Sequence, residues 1–283
     1  MMTKTQRNEI PRYVLLTVGG LFMTYLYNVV DGIFVGQGVG GASGLGQISA
    51  VLVLLTHFIR KRGSLRLGRF QSFAPLMGKI CKRGVPEAIT QLNTPVTAFC
   101  YNLVLANLVG DMGVSTFNIL SFIYSLANAI LSDVAQGLQP LWGNYYGKKN
   151  EKGLKALLRD GLVINAVLSV LVYGFLLFAP VIRIFNQEPA LVDVASKALP
   201  LFAISFIPMA LNLIFTAYFY STKRTLQADA IAVSRGIVVK AACIFLMPAL
   251  LGEGVIWLAP LAAECITLVL ALFLGKKSKL LYM

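Results

Sequence analysis

Charged residues are scarce in this chain, and acidic ones most of all. They make up only 13% of its 283 residues, and aspartate and glutamate together number 12. A soluble domain carries roughly 25% charged residues, so this scarcity excludes an ordinary water-soluble fold. Hydrophobic residues reach 57% and the mean hydropathy is +0.73. The composition therefore indicates a protein whose solvent is largely lipid.

Histidine and cysteine are also scarce in this chain. Histidine occurs once, as His57, and the four cysteines are Cys81, Cys100, Cys243 and Cys265. Their wide spacing gives neither a metal-binding pattern nor a disulfide framework. The sequence contains no HExxH pair, no Ser/His/Asp set with a buried histidine and no Walker A sequence. These absences argue against an integral-membrane enzyme and against ATP-driven transport, and we expect no bound cofactor.

The net charge of +13 comes from 25 basic residues against 12 acidic ones. Such an excess also occurs in nucleic-acid-binding proteins. Here, however, the basic residues lie in short runs between long apolar stretches, which is typical of cytoplasmic loops. We therefore expect membrane lipid, and no nucleic acid, as a partner.

The apolar stretches predict an all-α, polytopic membrane bundle. A span needs about 20 mostly apolar residues. Eight stretches qualify: 13–35, 42–59, 85–109, 116–141, 157–182, 199–222, 236–251 and 255–274. If the N-terminus is cytoplasmic, most of the basic residues fall on the cytoplasmic side, which predicts that both termini are cytoplasmic. Arg235 is placed in the loop before the seventh span, and Lys240 a turn inside that span.

Six short motifs are spread along the chain: 28–36 (NVVDGIFVG), 38–42 (GVGGA), 60–62 (RKR), 84–88 (GVPEA), 136–141 (QGLQPL) and 144–150 (NYYGKKN). Together they resemble the pattern of the multidrug and toxin extrusion (MATE) family. From Gly84 onward the chain is similar to the C-terminal half of the family, and two earlier stretches are similar to the family's first and sixth helices.

The resemblance implies a lobed organisation. Family members have twelve spans in two six-helix lobes, and here the match passes from the first helix to the sixth within residues 36–41. About four helices are then absent. We expect residues 1–59 to be a remnant of the first lobe, 60–84 a basic cytoplasmic linker, and 85–283 a second lobe of six spans.

The function that the resemblance implies is secondary active efflux across the plasma membrane. Small organic compounds, chiefly cationic, would leave in exchange for H⁺ or Na⁺. A shortened chain would either be inactive or pair with a second copy or another subunit. The alternatives are a lipid-linked saccharide flippase of the same wider superfamily and a non-transporting membrane assembly protein. The flippase ranks lower because the basic residues are predicted in loops rather than within spans.

Three carboxylates are candidates for cation coupling: Asp31, Asp133 and Glu264. An ionisable group inside a membrane span is costly and is a functional-site hypothesis by default. Asp31 closes the first span and also fits a helix-capping role at the outer headgroup level. Asp133 fits either a cavity or contact between helices. Glu264, in the eighth span, must be paired or protonated; Lys240 is a conceivable partner, unless its side chain extends to the cytoplasmic face.

The substrate wall is predicted mainly on the third span. Gln91, Asn93, Tyr101 and Asn102 make that span polar, and Pro95 can free backbone carbonyls there. Gln136 on the fourth span joins this set. It shares a predicted helix face with Asn128, Ser132 and Asp133, and a polar face on a membrane helix should line a cavity or meet another helix.

Overall fold

The computed structural model describes residues 93–178 and 181–277, and in these ranges the chain is helical with no strand. Asp31, Gln91, the first two predicted spans and the linker at 60–84 lie outside the described residues. The helices are α1 (Asn93–Leu108), α2 (Asp111–Gly147), α3 (Glu151–Phe178), α4 (Val181–Phe185), α5 (Pro189–Ala203), α6 (Phe206–Ser221), α7 (Thr225–Val233), α8 (Val239–Leu251) and α9 (Ala259–Lys277). A π-helical turn, Ser234–Val238, joins α7 to α8, and a 3₁₀ segment, Glu253–Leu258, precedes α9.

Four helical segments of the described part are long and apolar enough to cross a membrane: Asp111–Gly147, Glu151–Phe178, Thr225–Leu251 and Glu253–Lys276. The bent pair α5 and α6 makes a fifth if it counts as one span. The predicted all-helical membrane bundle is confirmed. The number of eight spans and the side on which the termini lie stay predictions. The seventh span begins at Thr225, earlier than the predicted residue 236, which places Arg235 within the helix.

The outward faces of these helices are apolar. On α3, Val163, Val167, Val170, Leu171 and Phe175 are all exposed at the surface of the described bundle. Burial of each such side chain away from water is favourable by roughly 1.5–3 kcal/mol, and this stabilisation would be lost if the side chain faced water. In a bilayer they meet hydrocarbon, so the exposed surface fits lipid rather than water.

Helix α6 lies at the centre of the described bundle and packs against α2, α3, α7 and α9. Its buried side chains are mostly apolar, among them Phe206, Met209, Ile214 and Phe219, and include one amide, Asn212. A helix that is apolar on most of its faces is typical of a core position. Two apolar clusters form around it: one with α1, α5 and the first half of α2, the other with α7, the second half of α2 and the start of α3.

The turns at the two ends of α2 follow from local sequence. Gly110 has φ of 74°, a left-handed conformation that favours glycine, and it separates α1 from α2. Asp111 then starts α2, where a carboxylate is favoured by the helix dipole. At the other end, Asn150 Oδ1 accepts a hydrogen bond from the Gly153 amide at 2.9 Å. This contact caps the start of α3, so the 144–150 motif makes a tight helix–helix turn.

The 42° bend between α5 and α6 has a covalent cause. Pro208 has no amide hydrogen to donate to the Ile204 carbonyl, and its ring crowds that carbonyl. The Ile207 amide donates to Ile204 instead, at 3.3 Å, and Ser205 Oγ donates to the Phe202 carbonyl at 2.7 Å. The break is therefore satisfied from within, as a lipid environment requires.

Glycine at one position sets the distance between α2 and α3, which provides a stability test. A Cβ at Gly161 would lie 2.8 Å from Leu138 Cδ1, whereas a Cβ at Gly174 on the same helix meets nothing within 4 Å. We expect Gly161→Val to lower the free energy of unfolding by about 1–3 kcal/mol through overpacking. Gly174→Val is the matched control, with an expected change within about 0.5 kcal/mol. Titration with SDS in mixed micelles measures both, and equal effects would contradict the packing assignment.

Candidate functional site: a polar cavity in an apolar bundle

A cavity of about 480 Å³ lies among α1, α2, α5, α6, the π-helical turn, α8 and α9, and we call it the polar cavity. Its wall combines amide, hydroxyl, basic and aromatic side chains. The polar and basic members are Asn93, Thr94, Thr97, Ser121, Ser125, Asn128, Ser132, Gln136, Arg235 and Lys240; the aromatic members are Tyr101, Phe117, Phe122, Tyr124 and Phe202.

Helix α2 contributes one continuous polar stripe: Ser121, Ser125, Asn128, Ser132 and Gln136. The spacing of three and four residues keeps these side chains on a single face over four turns. Ser121 and Ser125 donate to the carbonyls of Asn118 and Ser121, so their hydrogens are partly satisfied by the helix itself. Gln136 is exposed to the cavity at the far end of the stripe.

Asp133 lies beside this stripe but not on it. Its side chain is 2% exposed, and it is absent from the residues that line the polar cavity. Its Oδ1 atom is buried without a hydrogen-bond partner, and no ion pair of the described residues includes it. A buried carboxyl group without a partner is costly to ionise. Its coupling role stays a prediction.

Helix α1 places two of the predicted substrate residues on the wall. Asn93 and Tyr101 line the cavity, whereas Asn102 is exposed and is not part of the lining. The Tyr101 hydroxyl donates to the Ile256 carbonyl at 3.4 Å, and its ring stacks on Phe117 with centroids 4.3 Å apart. Tyr101 therefore offers a fixed ring rather than a free hydroxyl.

The π-helical turn is held by side chains of α1. Asn93 Nδ2 donates to the Ala232 carbonyl at 3.3 Å, and Thr97 Oγ1 donates to the Gly236 carbonyl at 3.2 Å. Any Cβ at Gly236 would overlap the Asn93 amide, so α1 approaches this turn closely only because residue 236 is glycine. Short π-helical segments occur often at functional sites, and this one borders the cavity.

Within the turn, Arg235 pairs with Glu264 of α9. Arg235 Nη2 and Nε both lie 3.3 Å from Glu264 Oε1, and the two side chains are 12% and 1% exposed. Asn212 of α6 donates to Glu264 Oε2 at 2.8 Å and to the Glu264 carbonyl at 2.9 Å. Both carboxylate oxygens are thus satisfied. The partner of Glu264 is Arg235 and not Lys240, whose pairing with Glu264 was one of the two alternatives drawn from the sequence.

Lys240 faces the cavity instead of extending to a membrane surface. Its residue is 5% exposed, and Nζ lies 3.3 Å from the Tyr124 hydroxyl and 4.9 Å from the centre of the Tyr124 ring. A lysine over an aromatic face gains a cation–π attraction that increases when water is excluded. Together with Arg235 it gives the wall a basic character.

Sequence reasoning missed Arg235 because the seventh span was started too late. The eight residues before Ser234 read LQADAIAV, largely apolar and already helical in the structure. Because of that run, the span begins before Arg235. Arg235 and Glu264 therefore lie on successive membrane helices. The premise that basic residues lie in loops rather than in spans is wrong for Arg235.

The Arg235–Glu264 pair allows a second stability test. Arg235→Met leaves Glu264 buried without a cation, and we expect a loss of about 3 kcal/mol. Arg235→Met combined with Glu264→Gln removes both charges and should recover most of that loss. Lys197→Met breaks an exposed pair with Asp193 and is the control, expected to change stability by about 1 kcal/mol or less. SDS titration distinguishes them; a double variant no more stable than Arg235→Met would contradict the pairing argument.

The chain has relatives among multidrug export proteins. It is 25% identical over 244 residues to the multidrug export protein MepA of Staphylococcus saprophyticus, a match that covers 83% of this chain and 53% of that protein. It is 24% identical over 229 residues to MepA of Staphylococcus aureus strain MRSA252, covering 77% and 49%. The chain thus spans about half the length of the curated relatives it matches.

Solved MATE structures share the fold. A crystal structure of MATE in complex with MaL6 matches with a TM-score of 0.73 at 17% identity, covering 94% of this chain and 61% of that one. A MOP superfamily transporter from Pyrococcus furiosus, described as having a binding pocket of reverse polarity, also gives 0.73, at 18% identity with 95% and 63% coverage. These likenesses agree with the all-helical bundle.

A sequence model of the MatE family matches residues 86–246, which is more than half of the chain. The resemblance drawn from the short motifs is confirmed by this match and by the relatives above. The chain belongs to the MatE family of multi-pass membrane transporters.

Proposed function

We propose that this chain acts in secondary active export of small organic compounds across the plasma membrane, in exchange for H⁺ or Na⁺. The observation that carries the proposal is a cavity with amide, hydroxyl and aromatic lining inside a bundle whose outer faces are apolar. Polar side chains inside a membrane bundle mark substrate or ion pathways. The naming of its MepA relatives as multidrug export proteins supports export rather than an enzymatic role.

The wall suits compounds with both apolar and polar parts. Phe117, Phe122 and Phe202 offer ring surfaces, and Asn128 and Gln136 offer amide donors and acceptors. Ligand sites of small molecules commonly combine an aromatic lining with a few polar groups that fix orientation. A cavity of about 480 Å³ falls within the range of about 300–1,000 Å³ that such sites occupy.

Of the carboxylates that the structure describes, Asp133 fits the coupling role better than Glu264. Glu264 is neutralised by Arg235 and hydrogen-bonded by Asn212, so its charge is already compensated. Asp133 is buried beside the polar stripe, and its Oδ1 atom has no hydrogen-bond partner among the described residues. Binding of a proton or Na⁺ there would compensate the buried carboxylate. Asp31, outside the described residues, remains the coupling candidate in the first lobe.

The chain alone need not form the complete transporter. The sequence predicts that a shortened chain is either inactive by itself or active with a second copy or another subunit. Export by the expressed chain tests the first alternative. Co-purification of two differently tagged copies tests the homodimer.

The experiment is dye extrusion from energised bacterial cells that lack their own efflux pumps. The panel contains ethidium, a cation, and carboxyfluorescein, an anion, so that charge preference is separated from activity. We expect extrusion of at least one dye, abolished by a protonophore or by Na⁺ removal. Asp133→Asn should lower the rate by about tenfold or more, equivalent to about 1.4 kcal/mol or more in barrier.

Asp193→Asn is the matched control, because Asp193 is exposed and its ion pair among the described residues is with Lys197 on the same helix. Its extrusion rate should equal that of the unmodified chain. An unchanged rate in Asp133→Asn would remove Asp133 from the coupling mechanism. A membrane-inserted chain that extrudes neither dye would contradict autonomous transport and agree with the predicted inactivity of a shortened chain.

A further inference from the structure

Lys240 is a buried cation without a carboxylate partner among the residues that the structure describes. Its Nζ atom lies 3.3 Å from Tyr124 Oη and 4.9 Å from the centre of the Tyr124 ring, and Lys240 lines the polar cavity. The ion pairs of the described residues involve other basic side chains. A buried ammonium group is costly unless an opposite charge compensates it. The tyrosine offers partial compensation only, because it has no net charge.

The other described residues of the cavity wall do not supply a negative charge for Lys240. No aspartate or glutamate is among the described lining residues. Arg235, the other basic member, has its own partner in Glu264 at 3.3 Å. Asp133 is buried off the wall. The described wall therefore carries an uncompensated positive charge at Lys240.

We propose that the polar cavity binds a small organic anion, with Lys240 as the counter-charge and the aromatic side chains as the surface for an apolar body. This inference rests on the proposed function and names its substrate class. The Tyr124 ring that the ammonium group contacts lies 6.2 Å from the ring of Phe202, which also lines the cavity. An anionic group attached to a ring or an acyl body meets both features at once.

The charge of the wall argues against the cationic substrates expected from family resemblance. A second cation near Lys240 would be repelled, and the low dielectric of a membrane interior strengthens that repulsion. An anion in the same position is attracted and removes the cost of the buried lysine. Electrostatic complementarity of this kind sets specificity even where it adds little net affinity.

An anionic group on an apolar body can come from a soluble aromatic acid or from the headgroup of a lipid. The shared chemistry is a carboxylate, sulfonate or phosphate next to hydrocarbon. Two competitors separate the sources: phenyl phosphate, which is water-soluble, and dioctanoyl phosphatidate, which is a short-chain lipid. Dioctanoyl phosphatidylcholine is the neutral lipid control.

The test is binding of carboxyfluorescein to the purified full chain in non-ionic detergent, followed by fluorescence polarisation, with rhodamine 123 as the cationic comparison dye. We expect saturable binding of the anion and at least about tenfold weaker binding in Lys240→Gln, as for loss of one buried charge interaction. Lys240→Arg keeps the charge and should stay within about threefold of the unmodified chain, which corresponds to less than 1 kcal/mol. Lys197→Gln, outside the cavity, should have no effect.

Retained anion binding in Lys240→Gln, or tight binding of rhodamine 123 with none of carboxyfluorescein, would overturn the proposal. Displacement by phenyl phosphate or by phosphatidate, but not by phosphatidylcholine, supports it and identifies the source. If Lys240→Gln is misfolded by size-exclusion chromatography, Lys240→Arg decides, because it keeps the charge: loss of anion binding in that folded variant would overturn the proposal. The two proposals fail separately, because binding in detergent needs no transport. Anion binding without dye extrusion would refute the proposed export and leave this inference standing. Extrusion of ethidium without anion binding would refute this inference and leave the proposed export standing.

Discussion

Glu264 is a carboxylate buried inside the membrane bundle, and side chains of the neighbouring helices neutralise its charge. Its Oε1 atom pairs with Arg235 of the π-helical turn, and its Oε2 atom accepts a hydrogen bond from Asn212 of α6. These contacts join three consecutive stretches of the chain: α6, the α7–α8 span and α9. In hydrocarbon no water can replace a missing partner, so the pair fixes how these helices meet. Removing one member leaves an uncompensated charge, which is the costly case for buried ion pairs.

The same rule explains the irregular backbone around the polar cavity. The π-helical turn and the break before Pro208 both free carbonyl groups from regular helix hydrogen bonds. Thr97 and Asn93 satisfy the first, and Ser205 with the Ile207 amide satisfies the second. Non-helical backbone at membrane depth is tolerated only where protein or a cavity surrounds it. Gly236 of the π-helical turn and Ser205 of the break are both buried, in agreement with this rule.

Helix α2 shows how one helix serves two tasks. Its serine and amide stripe lines the polar cavity, while the adjacent face buries Asp133 among neighbouring helices. One residue of offset rotates a side chain by about 100° in a helix with 3.6 residues per turn. Residues that contact substrate and a protonatable carboxyl group can therefore be adjacent in sequence while their side chains occupy different faces of the helix. Tyr124, on the same helix, contacts the Lys240 ammonium group through its ring and its hydroxyl, so α2 also holds a basic side chain of the cavity wall.

The sequence alone determined the class of the protein. Apolar runs of about 20 residues, few charges and basic loops indicate a helical membrane bundle, because an α-helix satisfies its backbone hydrogen bonds within its own segment in lipid. Residue type predicted Asn93, Tyr101, Asn102 and Gln136 on the substrate wall, and of these Asn102 is not among the lining residues. For Asn128 and Ser132 the sequence left a cavity and a contact between helices open. What the sequence did not determine is which charged groups meet. Arg235 was assigned to a loop and Lys240 to a possible pair with Glu264, whereas the fold pairs Arg235 with Glu264 and leaves Lys240 at Tyr124. Pairing across helices depends on the rotation and depth of each helix, and a one-dimensional hydropathy pattern carries neither quantity; only tertiary packing decides it.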